Sequence, residues 1–342
     1  MTLAKSVDQN EYKPFELSFG AGALSGAYNS IEDHWPVEAC REALRLGINS
    51  FDTSPYYGKS EFILGDALQA IKDEFPRSSY YISTKVGRYG YSVKDFDYSA
   101  ERVTASVEES MKRLHTDYLD IVFCHDVEFV PFEHVVGPNC ALEALFRLKD
   151  QGKIKYVGVS GYPLEVLLRI AEHQSAQGRP LDIVLSYCHY TLQNTMLAKY
   201  TPQFRAAGVR YVLNASPLGM ALFREAGPPD WHPAHPPLRE AAHKCASLAK
   251  ENGLNISELA SMFAFAGRDA FNLTSTVIGL QKKEEVRTAI DAWQLVKQRE
   301  QGTQTVPQVE ANVMAQITDL LRPFKDFSWQ SPSAKEMADP SQ

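Results

Sequence analysis

Long apolar runs and an apolar leader segment are missing from this chain of 342 residues. No window approaches the roughly 18 apolar residues that a membrane-spanning helix needs. Residues 1–14 are polar and lack the apolar core of a signal peptide. We therefore expect no membrane partner and a cytoplasmic location.

Cysteine is scarce, and its spacing forms no recognisable pattern. The five cysteines are odd in number and show neither a CxxC pair nor metal-ligand spacing. Cys124 and Cys188 lie in apolar, strand-like runs, which predicts buried, reduced thiols. The sequence therefore predicts no metal site, and a disulfide framework is not indicated. The full set is Cys40, Cys124, Cys140, Cys188 and Cys245.

Positive charge is also in short supply. The net charge is −7 and no basic run stands out, which argues against a nucleic-acid or anionic-membrane partner. Hydrophobic residues make up 44% of the chain and charged residues 23%, values typical of a globular protein with a large core. No apolar heptad marks an oligomer interface, so the oligomeric state stays unknown at this level.

What the sequence does contain is a regular alternation of strand-like and helix-like segments. Short apolar runs begin at Phe15, Ile48, Tyr80, Tyr118, Ile154, Leu181, Val209 and Ser275. Amphipathic segments follow them at 36–46, 60–71, 99–114, 139–151, 163–177, 194–207, 238–252 and 283–296. Further helices are predicted at 256–267 and 309–321. Eightfold alternation is typical of a (β/α)8 TIM barrel, which needs about 250 residues.

The alternative is an open doubly wound sheet, which would carry a GxGxxG motif after its first strand. Here the chain reads GAGALSGAY, so Gly20, Gly22 and Gly26 do not form that motif. We therefore favour a single barrel domain over residues 15–325, with an N-terminal extension (1–14) and a C-terminal tail (326–342). Surplus length lies at 127–138 and in the loop GPPDWHPAHPP, and the tail is predicted to be disordered from about Ser331.

Four polar side chains fall where a barrel collects its chemistry, at the carboxyl ends of the strands. Asp52 ends the second predicted strand and Tyr57 lies in the following loop, while Lys85 and His125 end the third and fourth strands. Taken singly, each has a structural explanation, such as an Asx turn, loop packing, a solvated charge or a satisfied buried histidine. Together, four such groups from three adjacent strands predict a catalytic site.

The four groups also form a chemically coherent set. A tyrosine with the ordinary pKa of about 10 is a poor acid–base catalyst at neutral pH. A Lys85 ammonium favours the phenolate and lowers the pKa of Tyr57, while Asp52 keeps that amine charged and in place. His125 donates to, or relays a proton from, the same oxygen. Such a site suits proton transfer at a carbonyl or hydroxyl oxygen while hydride moves on or off the adjacent carbon.

Four ordered motifs, FDTSPYYG, STKVGR, FCHD and VGVSGY, resemble those of the aldo-keto reductase superfamily over about residues 15–296. The family's Asp–Tyr–Lys–His tetrad matches Asp52, Tyr57, Lys85 and His125. Longer segments, including CHDVEFV, LSYCHYTLQNT and NASPLGM, are similar to the NAD-linked fungal D-arabinose 1-dehydrogenases and plant-type L-galactose dehydrogenases.

This resemblance implies an enzyme that oxidises the anomeric carbon of a small sugar to an aldonolactone, with Tyr57 as the general base. D-Arabinose, L-galactose and L-fucose are the implied substrates, and erythroascorbate or a similar antioxidant is the implied end product. Two alternatives stay open. One is an NADPH-dependent carbonyl reductase, and the other is a low-turnover regulatory module like the family's ion-channel β subunits.

The resemblance also implies contacts with the cofactor. Many relatives read VSN at the end of the fifth strand, where the serine and asparagine bind the nicotinamide carboxamide; here Ser160 matches and Gly161 does not. Tyr187 is an alternative to Ser186 in place of the family's glutamine, and Ala215 stands where relatives have a stacking tyrosine. The implied cofactor residues are Gly22, Ala23, Ser160, Ser186, Ser216, Pro217, Leu218, Gly219, Leu222, Gly279, Gln281 and Glu285.

The segment VIGLQKKEEV after the eighth strand bears on the choice between NAD and NADP. NADP-specific relatives place a lysine, a serine and an arginine at the positions held here by Gly279, Leu280 and Glu285. A carboxylate repels a 2′-phosphate but accepts a hydrogen bond from a ribose 2′-hydroxyl, which favours NAD. Glu285 also has a structural explanation as a helix opener. NADP stays possible because three cations would meet a phosphate in a shifted register: Lys282, Lys283 and Arg287.

The substrate pocket is expected between the loops after strands one, four and seven, although aromatic residues in such loops more often serve packing. The candidate contacts are Leu24, Tyr28, Asp126, Phe129, Val130, Trp231 and His232.

Overall fold

The computed structural model describes residues 11–25, 32 and 34–331, with only the backbone of Val93. Eight parallel strands form a closed barrel in sequence order, because β1 pairs with both β2 and β8. The predicted (β/α)8 barrel is therefore confirmed. The strands are β1 (Leu17–Gly20), β2 (Ser50–Asp52), β3 (Tyr81–Val86), β4 (Leu119–His125), β5 (Ile154–Gly161), β6 (Ile183–Tyr187), β7 (Tyr211–Ala215) and β8 (Ser275–Gly279).

Eleven α-helices lie in the described part of the chain, and the sequence predicts ten of them to within a few residues. The exception is α4, which is too short for helical periodicity to reveal it within the 127–138 segment. The helices are α1 (Trp35–Arg45), α2 (Ser60–Ala70), α3 (Ala100–Arg113), α4 (Phe132–Val136), α5 (Ala141–Asp150), α6 (Leu164–Ala176), α7 (Met196–Ala206), α8 (Pro236–Glu251), α9 (Ile256–Ala270), α10 (Lys283–Glu300) and α11 (Gln308–Leu321).

Local sequence explains where several helices begin and end. The Ser99 side chain accepts a hydrogen bond from the Arg102 N–H at the start of α3. Gly47, Gly152 and Gly208 follow the ends of α1, α5 and α7 with φ of 100°, 74° and 85°, a region that glycine enters without strain. Within the described ranges, no helix combines the length and apolar character needed to cross a bilayer.

Cysteine side chains are placed as the sequence predicts. Cys124 and Cys188 are buried, in β4 and directly after β6, and both are free thiols. Burial raises the pKa of the Cys188 thiol to about 12. Because the thiolate is the reactive form of cysteine, this thiol is inert.

Tyrosine rings close the amino-terminal end of the barrel. Tyr12 is 2% exposed, and its ring lies edge-on to those of Tyr81 and Tyr211, with centroids 4.9 and 5.3 Å away. Its hydroxyl is hydrogen-bonded to Ser50 Oγ at 3.0 Å. The end of the predicted N-terminal extension is thus packed into the barrel, and the chemistry lies at the opposite end.

A segment at the other end of the chain crosses the carboxyl-terminal face of the barrel. We call residues 324–331 the C-terminal strap. The Gln193 side chain donates hydrogen bonds to the carbonyl groups of Phe324 and Phe327, and the Trp329 ring stacks on Tyr162 with centroids 4.8 Å apart. Residues 326–331, which the sequence assigns to the tail, therefore pack on the barrel. The predicted disorder beyond Ser331 lies outside the described residues.

We predict that Tyr12→Ala lowers the free energy of unfolding by about 3–5 kcal/mol, because it leaves a cavity among the tyrosine rings. Tyr12→Phe should cost only about 1 kcal/mol, the value of one hydrogen bond. Urea denaturation followed by circular dichroism measures both variants. Equal losses for the two substitutions would show that ring packing does not close the barrel.

Candidate active site

The carboxyl ends of β2, β3 and β4 bring the four predicted catalytic residues together. Lys85 Nζ donates to Asp52 Oδ2 at 2.6 Å and to the Thr53 carbonyl at 2.9 Å. Asp52 Oδ1 accepts a further hydrogen bond from the Ser83 hydroxyl at 2.7 Å. Both charged side chains are buried, at 1% and 6% exposure. These bonds hold the amine at one fixed place.

Tyr57 lies beside that amine. Lys85 Nζ is 4.8 Å from the centroid of the Tyr57 ring, and the rings of Tyr57 and His125 are perpendicular with centroids 5.7 Å apart. A Cβ atom at Gly22 would lie 3.4 Å from the Tyr57 ring, so the loop after β1 packs directly on the phenol. Phenol, amine and imidazole therefore adjoin one another at the mouth of the barrel.

His125 is held in its neutral form. Burial lowers the pKa of His125 well below its ordinary value, and the positive charges of Lys85 and Arg88 lower it further. Its Nδ1 is hydrogen-bonded to Ser54 Oγ at 3.2 Å, and its Nε2 lies 3.5 Å from Asp126 Oδ2. A neutral imidazole offers one donor and one acceptor, so this side chain acts through hydrogen bonding rather than as a cation.

Arg88 is a site residue that the sequence reasoning misses. It is buried, and its Nη1 donates to Asp126 Oδ2 at 2.6 Å while its Nη2 donates to the Tyr56 hydroxyl at 3.0 Å. The guanidinium also lies 3.9 Å from the Tyr56 ring centroid. Burial raises the pKa of Asp126, and Arg88 opposes that rise. The signal was available, because the motif STKVGR places a cation just beyond β3.

The loop at residues 216–222 has an unusual backbone. Ser216, Gly219, Met220 and Ala221 have φ of 60°, 59°, 56° and 68°, which is strained for the three residues other than glycine. Ser216 Oγ accepts the Met220 N–H at 2.8 Å, whereas the N–H groups of Leu218 and Ala221 reach no acceptor among the described residues. Concave loops with free N–H groups bind anions, so this one fits a dinucleotide pyrophosphate.

Other predicted cofactor residues surround the same mouth. Ser160 is the register partner of His125 in the β4–β5 pair, which sets its hydroxyl beside the tetrad. Ser186 Oγ is hydrogen-bonded to His189 Nδ1 at 3.3 Å. Leu222 is buried in an apolar cluster, and its N–H donates to the Gly219 carbonyl at 3.1 Å.

The start of α10 carries Glu285 and its surroundings. Glu285 Oε2 accepts the Gln281 N–H at 2.9 Å, and the buried Gln281 Oε1 has no hydrogen-bond partner in the described part of the chain. A Cβ atom at Gly279 would lie 3.7 Å from Ala23 Cβ, so the ends of β8 and β1 adjoin here. The three nearby cations all have partners in α1: Lys282 Nζ lies 4.1 Å from the Trp35 ring centroid, Lys283 2.8 Å from Glu38 and Arg287 2.6 Å from Glu42.

A model of one protein family, the aldo/keto reductases, matches residues 16–306. The chain belongs to the aldo/keto reductase family. It is 37% identical over 317 residues to the L-galactose dehydrogenase of Arabidopsis thaliana, covering 92% of this chain and 93% of that enzyme. It is 39% identical over 295 residues to the D-arabinose 1-dehydrogenase of Saccharomyces cerevisiae, covering 83% and 86% of the two chains.

Among solved structures, a Pseudomonas aeruginosa protein assigned to the aldo-keto reductases superposes with a TM-score of 0.60. The match covers 86% of this chain and 96% of that one at 20% identity, so it shows a shared fold alone. As an aldo/keto reductase, the protein is an oxidoreductase that uses a nicotinamide cofactor. The free N–H groups of the 216–222 loop fit such a group.

The predicted substrate contacts of this aldo/keto reductase are not all at the surface of the mouth. Leu24 is fully buried in the main core, and the Phe129 ring stacks on Phe96 with centroids 4.9 Å apart. Leu24 therefore lies in the core, whereas Phe129 keeps 6% of its surface exposed. Trp231 is exposed in the Pro-rich loop after β7. Tyr28 lies outside the described residues.

Glu128 occupies the space that a side chain at position 161 would need. A Cβ atom at Gly161 would lie 2.5 Å from Glu128 Oε2. The other oxygen, Oε1, accepts hydrogen bonds from the Tyr162 N–H at 3.0 Å and the Ser331 hydroxyl at 2.9 Å. Oε2 is buried and has no partner among the residues described. Burial, reinforced by Asp126, raises the pKa of Glu128 to about 8.

We predict that Glu128→Gln stabilises the protein at alkaline pH. The folded state keeps a proton that the unfolded state releases near its ordinary pKa, so the native protein loses stability as pH rises from about 4.5 to about 8. Glutamine keeps the carbonyl acceptor and removes this dependence. The gain in Tm over wild type should therefore increase through that window and level off above it.

Thermal unfolding at several pH values measures the effect. Glu133→Gln, at an exposed position in α4, is the matched control and should show no such trend. A gain in Tm that is independent of pH would contradict the prediction.

Proposed function

We propose that this aldo/keto reductase is an NAD-dependent aldose 1-dehydrogenase. It oxidises the anomeric carbon of D-arabinose, or of the related sugars L-galactose and L-fucose, to the aldonolactone. The observation that carries the proposal is the buried Asp52–Lys85 pair beside Tyr57 and His125. Similarity to two sugar dehydrogenases over most of the chain supports the substrate class.

We propose a role for each member of the tetrad. Tyr57 takes the proton of the C1 hydroxyl, and the Lys85 ammonium 4.8 Å from its ring centroid stabilises the phenolate that starts the step. Asp52 fixes the ammonium. His125, neutral and perpendicular to Tyr57, holds the substrate oxygen by a hydrogen bond. A bound nicotinamide cofactor supplies the acceptor for the hydride from C1.

The wall beside the tetrad suits a polyhydroxylated substrate. Asp126 and Arg88 form a charged pair within 3.5 Å of His125, and carboxylate and guanidinium groups are partners for sugar hydroxyls. Tyr91 is 75% exposed and lies 5.3 Å from Tyr56, measured between ring centroids. Polar and aromatic groups of this kind bind sugar hydroxyls and sugar ring faces, which favours a sugar over a simple carbonyl compound.

Charge around Glu285 supports NAD over NADP. Its carboxylate lies at the start of α10, where it would repel a 2′-phosphate. Lys283 and Arg287 are paired with Glu38 and Glu42, so part of their positive charge is already neutralised. We further propose a cytoplasmic enzyme whose lactone product leads to D-erythroascorbate or an ascorbate-like antioxidant.

We predict NADH formation with NAD and at least one of D-arabinose, L-galactose and L-fucose, measured as initial rates of absorbance at the reduced-nicotinamide band. Tyr57→Phe should lower kcat by about 10²- to 10⁴-fold, the usual contribution of general acid–base catalysis, while sparing NAD affinity. Substantial turnover by Tyr57→Phe would remove this residue as the base. If the protein binds the cofactor but forms no NADH with any of the three sugars, the regulatory module or the carbonyl reductase would be favoured.

We predict that Glu285→Arg raises the ratio of kcat/KM for NADP to that for NAD by about tenfold or more, which corresponds to about 1.4 kcal/mol. Glu285→Gln is the matched control, since it keeps an acceptor for the Gln281 N–H and removes only the charge. Its ratio should fall between those of wild type and Glu285→Arg. An unchanged ratio in both variants would place the 2′ position of the ribose elsewhere.

A further inference from the structure

His232, in the Pro-rich loop after β7, contacts the 216–222 loop directly. Its Nδ1 accepts the Ala234 N–H at 3.1 Å, so this nitrogen carries no hydrogen. The hydrogen of the neutral ring is therefore on Nε2, which donates to the Gly219 carbonyl at 2.8 Å. His232 is buried, and this bond fixes the middle of the loop.

The C-terminal strap lies against the other side of His232. The edge of the Trp329 ring meets His232 with centroids 5.2 Å apart and an interplanar angle of 76°. The Trp329 ring also stacks on Tyr162, and the backbone N–H of Trp329 donates to the Tyr162 hydroxyl at 3.2 Å. A continuous set of contacts thus runs from the end of β5 through Trp329 and His232 to Gly219.

The strap is anchored independently of the loop it supports. Asp326 Oδ1 accepts the Thr195 N–H at 2.8 Å at the start of α7. At the far end, the Ser331 hydroxyl donates to Glu128 at 2.9 Å, in the loop after β4. The strap is therefore fixed to the β4–β6 side of the mouth, whereas the loop that it supports follows β7.

The 216–222 loop needs such support. Its non-glycine residues with positive φ, Ser216, Met220 and Ala221, have a strained backbone that persists only where the surroundings hold it. Leu218 and Met220 pack against the apolar cluster that contains Trp329. A loop already held in its binding conformation loses less entropy when a ligand arrives, which tightens binding.

We propose that His232 is a positioning residue for the dinucleotide cofactor, acting together with Trp329 of the strap. The pair holds the 216–222 loop in the conformation whose N–H groups bind the pyrophosphate, and the strap thereby slows release of the cofactor. This inference rests on the proposed function for the identity of the ligand as a nicotinamide dinucleotide. It assigns to the C-terminal strap a role in cofactor retention.

The test measures NADH binding through the fluorescence of the reduced nicotinamide, with the dissociation rate followed by stopped-flow displacement with excess NAD. His232→Ala and Trp329→Ala should each raise the dissociation rate and Kd by about tenfold, or about 1.4 kcal/mol. Both substitutions break the same chain of contacts. The dissociation rate and Kd of the double variant should therefore be only slightly higher than those of either single variant. His232→Gln keeps a donor near the Nε2 position and should recover most of the affinity.

Phe327→Ala is the matched control, because the ring of this strap residue lies against His235, whereas Trp329 is the one against His232. Its NADH release should match wild type. Folded His232→Ala and Trp329→Ala with wild-type Kd and dissociation rate would overturn the inference alone. Should His232→Ala fail to fold, the comparison of Trp329→Ala with Phe327→Ala decides. A wild-type protein that binds neither NADH nor NADPH would overturn the proposed function, and this inference with it.

Discussion

A buried ion pair, Lys85 with Asp52, is the contact on which the rest of the site depends. An ammonium at 1% exposure is unfavourable unless a carboxylate and further acceptors surround it, and removal of one partner typically costs about 3–5 kcal/mol. Parallel pairing of β2 and β3 places Asp52 opposite Ser83, and Lys85 follows two residues later on the same face of β3. The backbone of the barrel therefore determines where the amine lies, and the amine in turn determines where a phenolate is stable.

Features that depend on local sequence could be predicted. Strands and helices follow from hydrophobic periodicity and from glycines such as Gly47 and Gly208 at helix ends. The tetrad could be assembled because closure of a parallel barrel places successive strand ends at one mouth. The topology of the barrel alone therefore predicts that Asp52, Lys85 and His125 lie close together.

Features that depend on contacts between distant segments could not be predicted. Ser331, the partner of Glu128 in the strap, is 203 residues away in sequence. No residue next to Gly161 in sequence indicates that the Glu128 carboxyl group lies where its side chain would be. Leu24 is a second example. Sequence alone does not distinguish an apolar loop residue that faces a ligand from one that faces the core. The strap itself resembles a polar tail, and only its aromatic residues distinguish it from one: Phe324, Phe327 and Trp329.

The tyrosine that closes the amino-terminal end also constrains how the chain assembles. The Tyr12 ring contacts those of Tyr156 and Tyr211, which are far away in sequence. The residues that surround Tyr12 are therefore not all present until β7 has been synthesised. Contacts of such large sequence separation form slowly, since the intervening chain must first be ordered. We therefore expect the earliest described segment to leave the ribosome to be among the last to find its neighbours.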